Sequence, residues 1–155
     1  MASTYSSNLK IELITTGEQT GDWGVTTNDN FSNVFEQAIV GRGTVTFASD
    51  ADTSITLTDS VSSQTARNVY LNVVSSGSLT ATRDLTVPTI YKNYIVENNT
   101  TGGQSIVVKT AAGTGVTVPN GKKVAVYVDS TNVVPAYDYL SGNVQVGGAI
   151  TVAGL

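Results

Sequence analysis

Two hydrophobic periods divide this sequence. Between residues 27 and 40 the apolar positions recur at helical spacing: Phe31, Val34, Phe35, Ala38 and Ile39 fall on one face, with Ser32, Asn33, Glu36 and Gln37 on the other. Thr27 or Asn28 can cap such a helix, Asp29 suits its positive end, and Gly41 is placed to end it in a left-handed conformation. The spacing therefore predicts an amphipathic helix over 27–40. Ahead of it, Leu9, Ile11 and Leu13 alternate with Lys10 and Glu12, the period of a short strand or an extended arm. Gly17, Gly21 and Gly24 interrupt any regular element over 15–25, which predicts a loop that positions Trp23.

After Gly41 the period becomes two. Ten runs read as short strands: 44–48, 54–58, 68–74, 78–82, 85–87, 91–97, 105–109, 115–118, 123–129 and 132–136. Between them lie turn-forming clusters such as Asp50-Ala51-Asp52, Ser75-Ser76-Gly77, Thr100 to Gly103 and Asn120-Gly121. Pro88 and Pro119 sit at strand ends, where a missing donor does least harm. The pattern predicts a mainly β fold: an antiparallel β-sandwich or jelly-roll-like body over 42–140, with one short amino-terminal helix. Val124, Val126 and Val128 face opposite to Ala125 and Tyr127, so this strand reads as apolar on both sides. Burial within one chain and contact with another chain both fit that pattern. Residues 142–147 and 148–154 are near-copies of one glycine-punctuated unit carrying Val144, Val146, Ile150 and Val152. Units so small bury a face only by stacking, as at the start of a β shaft; a flexible tail is the other reading. Three segments result: 1–41, 42–140 and 141–155.

Composition narrows the chemistry. The chain has 155 residues, a length at which one domain is the default and about 70% of the unfolded surface is buried. Charged residues make up 13%, against an ordinary share of about 25%. A net charge of −4 has the wrong sign for a phosphate backbone, so no nucleic-acid partner is expected; the adjacent pair Lys122-Lys123 follows a turn and reads as a solvated edge. Cysteine and histidine are absent, which excludes disulfides, thiolate nucleophiles, a Ser-His-Asp triad and His-ligated zinc. There is no run of about 18 apolar residues and no apolar signal core at the amino end, so no membrane contact is expected. Asp50-x-Asp52 could ligate calcium, but aspartates in turns more often bond their own backbone. No clustering of the twelve acidic residues suggests a glycosidase pair. The chain is read as a non-enzyme without metal or cofactor. Its seven tyrosines, including Tyr91, Tyr94, Tyr127, Tyr137 and Tyr139, could stack on sugar rings or serve as ordinary half-buried strand or interface residues. Trp23 either anchors the amino-terminal segment in a neighbouring protein or plugs onto Phe31 and Phe35 of its own chain.

The stretch Thr16-Gly17-Glu18-Gln19-Thr20-Gly21-Asp22-Trp23-Gly24, followed by Thr26-Thr27-Asn28-Asp29-Asn30, resembles a segment near the amino end of many structural proteins of tailed bacteriophages, especially marine and cyanobacterial phages. The match covers roughly residues 6–41. Weaker similarity runs over 66–88, through Ala66-Arg67-Asn68 and Arg83-Asp84-Leu85-Thr86-Val87-Pro88, and over 98–121. The resemblance implies a virion location, attachment to the particle through the amino end and assembly as a homotrimer. Leu9, Ile11, Leu13, Trp23, Phe31 and Phe35 are then the candidate docking residues, and Val124, Val126, Val128, Val144, Val146, Ile150 and Val152 the candidate trimer contacts. The expected function is a tail-fibre or appendage component bound to other virion proteins. The alternatives are a head fibre or capsid-decorating protein, or a module that recognises host surface glycans; a depolymerase is the remotest.

Overall fold

The computed structural model of the protein describes residues 3–139. Strand alternation builds its body. In β3 (Arg42–Phe47) Gly43, Val45 and Phe47 point inward while Arg42, Thr44 and Thr46 face solvent. The same rule buries Leu71 and Val73 in β5 (Tyr70–Ser75), and Tyr94 and Val96 in β7 (Tyr91–Asn98). With β10 (Lys123–Asp129) and β11 (Val133–Pro135), these strands form a five-stranded sheet in the order β11-β10-β7-β5-β3. Facing it is a four-stranded sheet in the order β4-β6-β8-β9, made of β4 (Thr53–Ser54), β6 (Arg83–Thr86), β8 (Ile106–Lys109) and β9 (Gly115–Val118). Leu85, Ile106, Val108 and Val118 from the second sheet meet Phe47, Leu71, Val73 and Val96 from the first in one core. Each such side chain contributes about 1.5–3 kcal/mol on burial. The fold is mainly β with a sandwich-like body, as the alternation predicts.

The strand directions differ from the antiparallel arrangement expected. β3 pairs with β5 in parallel and β5 with β7 in parallel, and β4/β6 and β6/β8 do the same in the other sheet. From β3 to β8 the chain passes to the opposite sheet at every step, so it winds as three successive coils. Arg42 lies beside Tyr70 and Tyr70 beside Ile95, advances of 28 and 25 residues. Within the two sheets of the body, antiparallel pairing begins only with the β8–β9 hairpin, after which β10 returns along β7 and β11 along β10. The strand expected at 78–82 is instead a link. Leu79 there is buried and its N–H donates to the Thr101 carbonyl at 2.9 Å. The run at 54–58 is a strand only at its start.

Val126 and Val128 do not face another chain. Both are fully buried in the core of this one, and Val124 packs against them partly buried, because the inner face of β10 closes on the four-stranded sheet. That removes Val126 and Val128 as trimer contacts and leaves Val124 partly exposed. Val144, Val146, Ile150 and Val152 lie outside the described residues.

The helix is longer than its hydrophobic pattern suggests. It runs over residues 23–40 as α1 (Trp23–Asp29), a π-helical segment (Asn30–Phe35) and α2 (Glu36–Val40). Gly41 follows in an extended conformation, φ −67° and ψ 144°, not a left-handed one, because β3 starts at the next residue. Glycine is required there for a different reason: a Cβ would come within 2.4 Å of Asn68 Oδ1 and 2.6 Å of the Gln37 backbone. Ahead of the helix, β1 (Thr4–Tyr5) and β2 (Glu12–Leu13) form a small antiparallel hairpin. The alternating run from Leu9 is not a continuous strand, since Lys10 adopts φ +60° and bends the arm.

Candidate docking surface

Glu18, Gln19 and Asn30 of the Trp23 motif turn inward, while Thr16, Thr20, Asp22 and Asn28 stay exposed. Glu18 Oε2 accepts from the Ser3 hydroxyl at 3.2 Å and from the Thr15 N–H at 3.3 Å. The Gln19 amide donates to Glu12 Oε1 at 2.7 Å and to Ser3 Oγ at 3.1 Å, and accepts from the Thr26 hydroxyl at 2.5 Å. Asn30, buried in the π-helical segment, clamps β2 as a strand would. Its Oδ1 accepts from the Glu12 N–H and its Nδ2 donates to the Glu12 carbonyl, both at 2.9 Å. These bonds fasten arm, loop and helix into one unit.

Arg67 fastens that unit to the body. It is fully buried at the end of a short helical turn (Thr65–Arg67), and it donates from Nε to the Leu9 carbonyl at 2.9 Å and from Nη2 to the Lys10 carbonyl at 3.3 Å. The same guanidinium reaches the Ser60 and Ser62 carbonyls. Lys10 adds an ion pair to Asp59 at 3.1 Å.

With those three polar groups satisfied inside, large apolar ones stand outside. Trp23 is 61% exposed, Phe31 61% and Ile39 70%, and Leu13, Val25 and Val40 are exposed as well. Phe35 is half-buried and its ring packs on Phe31, centroids 5.9 Å apart. The helix buries only Asn30 and Val34 fully. Trp23 is therefore not a plug in its own chain. Of the six expected docking residues, Leu13, Trp23, Phe31 and Phe35 contribute to this surface, while Leu9 and Ile11 are half-buried in the arm.

No family model, curated protein or solved structure matches the chain.

A second feature lies on the outer face of the five-stranded sheet. A cavity of about 430 Å³ is lined by Val69, Asn93, Ile95, Ala125, Ala136 and Tyr137, with no charged side chain in its wall. Tyr137 is 76% exposed, and Tyr91 lies on the same outward side of β7 as Asn93 and Ile95. Farther along that face Glu97 accepts from the Tyr70 hydroxyl and pairs with Lys123 at 3.2 Å, contacts that hold its carboxyl below the usual range.

The aspartate turn serves the fold. Asp50 accepts from Arg83 Nε at 2.8 Å and from the Thr80 N–H at 3.2 Å, which hold its carboxyl well below the usual carboxylate range, and Asp52 accepts from the Asp84 N–H at 2.9 Å. Among the described residues no group of three or more side chains is placed to hold a metal ion, and no helix is long and apolar enough to cross a membrane.

Asn30, Gln19 and Arg67 were not singled out by periodicity, since each acts through backbone or polar contacts made by folding. Their one sequence signal is membership of the stretches 16–30 and 66–88 singled out in the sequence.

Proposed function

We propose that the protein is a structural component of a phage virion, a fibre or appendage subunit that docks on the particle through its amino-terminal segment and assembles as a trimer. The observation that carries this reading lies in residues 15–40, where Glu18, Gln19 and Asn30 bond inward and Trp23, Phe31 and Ile39 face solvent. So many exposed large apolar side chains in one short segment are costly to leave wet, and such a concentration marks a contact with another molecule. Large aromatic anchors carry much of the energy of such contacts. The similarity of the Trp23 segment to virion proteins supplies the particle as the place of docking and three as the number of chains. With Val126 and Val128 inside the core, the trimer contact falls to other surfaces, with Val124, the tail valines and Ile150 among the candidates.

An electron-microscopic map of the intact particle tests the placement: density for this fold at the tail or capsid surface is expected, and its absence would overturn the proposal. The same map separates tail fibre from head fibre or capsid decoration. Light scattering of the full chain is expected to give three times the 16.1 kDa subunit mass; a stable monomer refutes trimeric assembly.

The outer-face cavity favours a second reading, a neutral-glycan site, because an aromatic wall beside one amide and an uncharged floor is the chemistry that holds a sugar ring. Glycan-array binding lost in Tyr137→Ala and Asn93→Ala would support it, and binding unchanged in both would remove it.

A further inference from the structure

The charge of this molecule is not spread over it. Residues 1–41 hold five carboxylates (Glu12, Glu18, Asp22, Asp29, Glu36) and one cation (Lys10), while residues 42–155 hold seven acidic and seven basic side chains. The whole formal net charge of −4 thus belongs to the segment that carries these exposed apolar side chains. Lys10 is already engaged by Asp59 of the body, and among the described residues none of the five carboxylates forms an ion pair. Asp22 precedes the helix, Asp29 ends its first α-helical part and Glu36 opens its last; Asp22 and Glu36 are exposed and Asp29 is half-buried, so acidic groups punctuate the segment that exposes Trp23, Phe31 and Ile39.

We infer that this face receives a different protein, one whose contact is apolar at the centre and rimmed by lysine or arginine, and that it does not receive a second copy of this chain. The inference rests on the reading that the amino-terminal segment docks, and it adds the chemistry of the partner. Charge complementarity selects the occupant. A second copy packed face to face would set one acidic rim against another, which disfavours the contact, and one packed head to tail would offer a body of seven acidic and seven basic side chains with no net attraction for the rim. An anionic lipid surface is opposed by the same field, and surface-binding helices carry basic polar faces, which this one lacks. A basic-rimmed protein instead gains attraction at the rim and burial at Trp23, Phe31 and Ile39. Virion assembly from dilute subunits favours such steering, which raises association rates by about 10- to 1,000-fold.

The test uses two synthetic amphipathic helical peptides with one shared leucine stripe, flanked by lysines in one and glutamates in the other. Each is titrated into the isotope-labelled full chain, with Trp23 fluorescence and amide shifts as readouts. The lysine-flanked peptide is expected to bind at least about tenfold more tightly, with shifts confined to residues 13–40 and affinity falling as salt rises. The triple variant Asp22→Asn, Asp29→Asn, Glu36→Gln should abolish that preference, and Phe31→Ser should weaken both peptides. Equal affinity for the two peptides overturns the inference. So does a trimer that dissociates in Phe31→Ser with its circular dichroism unchanged, since a second copy would then be what covers the face. A chain that prefers the lysine peptide yet is missing from particles would refute the virion placement and leave the basic-rimmed partner standing.

Discussion

Arg67 directs its guanidinium at backbone carbonyls, two in the arm and two in the loop ahead of it, and among the described residues no carboxylate pairs with it. Burial pushes its pKa down, but the ordinary value is so high that it stays a cation. A lysine keeps the charge and loses the planar fork, leaving buried carbonyls unsatisfied. Arg67→Lys is therefore expected to lose about 2–4 kcal/mol in urea unfolding; a loss under about 0.5 kcal/mol would show that the carbonyls find water instead. Lys92 presents the opposite case. It faces inward over the Tyr94 ring, 5.0 Å from its centroid, and burial holds its pKa at about 8. Between about pH 8 and the ordinary lysine value the unfolded chain binds the extra proton, so stability rises with pH across that window, by at most about 3 kcal/mol. Tyr94 reverses the trend above about pH 10, because its buried hydroxyl, donating to the Ala66 carbonyl at 2.7 Å, resists ionisation. Urea midpoints measured over this range should rise and then fall, and Lys92→Met should remove the rise and keep the fall. A flat profile in the parent chain refutes the assignment. Neither role was legible beforehand: Arg67 bonds a carbonyl 58 positions away, and Lys92 reads as one polar residue in an alternating strand. Trp23 was legible as special, being the lone tryptophan among glycines, but no periodicity says whether an apolar face is covered.

Among the elements, the helix shows where pattern and packing part. Its apolar face was visible in the spacing, yet the helix starts four residues before the expected Thr27, because the Gln19 carbonyl already accepts from the Asp22 and Trp23 N–H groups, at 2.9 and 3.0 Å. Glycines at 21 and 24 hide this, since sequence alone weighs them as breakers. The π-helical segment is equally hidden; it coincides with the turn from which Asn30 reaches the backbone of β2. Asn30→Ala removes both of those bonds and leaves a half-buried N–H and C=O on Glu12 without these partners. A loss of about 2–3 kcal/mol is expected, with Glu12 amide protection against hydrogen exchange reduced at least about tenfold while Leu71 and Val96 keep theirs. Unchanged protection at Glu12 would mean that the arm is held by Arg67 without help from the helix. The strands were easier to read, because alternation survives any partner: β7, β9 and β10 lie where the period-two runs placed them. The run at 78–82 failed because it has one apolar residue facing the core, Leu79, and nothing beside it to continue a ladder.

For the whole molecule, the coiled path was the part that the sequence concealed. A strand alternates in the same way whether its neighbour returns by a hairpin or arrives in parallel one coil later, and the advances of 28 and 25 residues share no repeated motif. Those parallel pairs carry a mechanical consequence. β5 is paired on both edges, by β3 and β7, whereas β3 has one pairing partner among the described strands and ends its sheet. Val73 in β5 and Val45 in β3 are both core valines, so the same substitution probes two depths of one stack. Val73→Ala opens a void between coils that neighbours on both sides hold apart, and the outer coil around Val45 can settle inward. Val73→Ala should therefore cost more than Val45→Ala, by about 1 kcal/mol within the range for buried methyl deletions. Native-state hydrogen exchange should divide the stack in the same order. Amides of β5 and β7 exchange only through global unfolding, and amides of β3 through a partial opening of the first coil that costs less. If β3 and β5 show one common opening free energy, and the two valine variants match, the stack unfolds as a single unit and the first coil is no weaker than the rest.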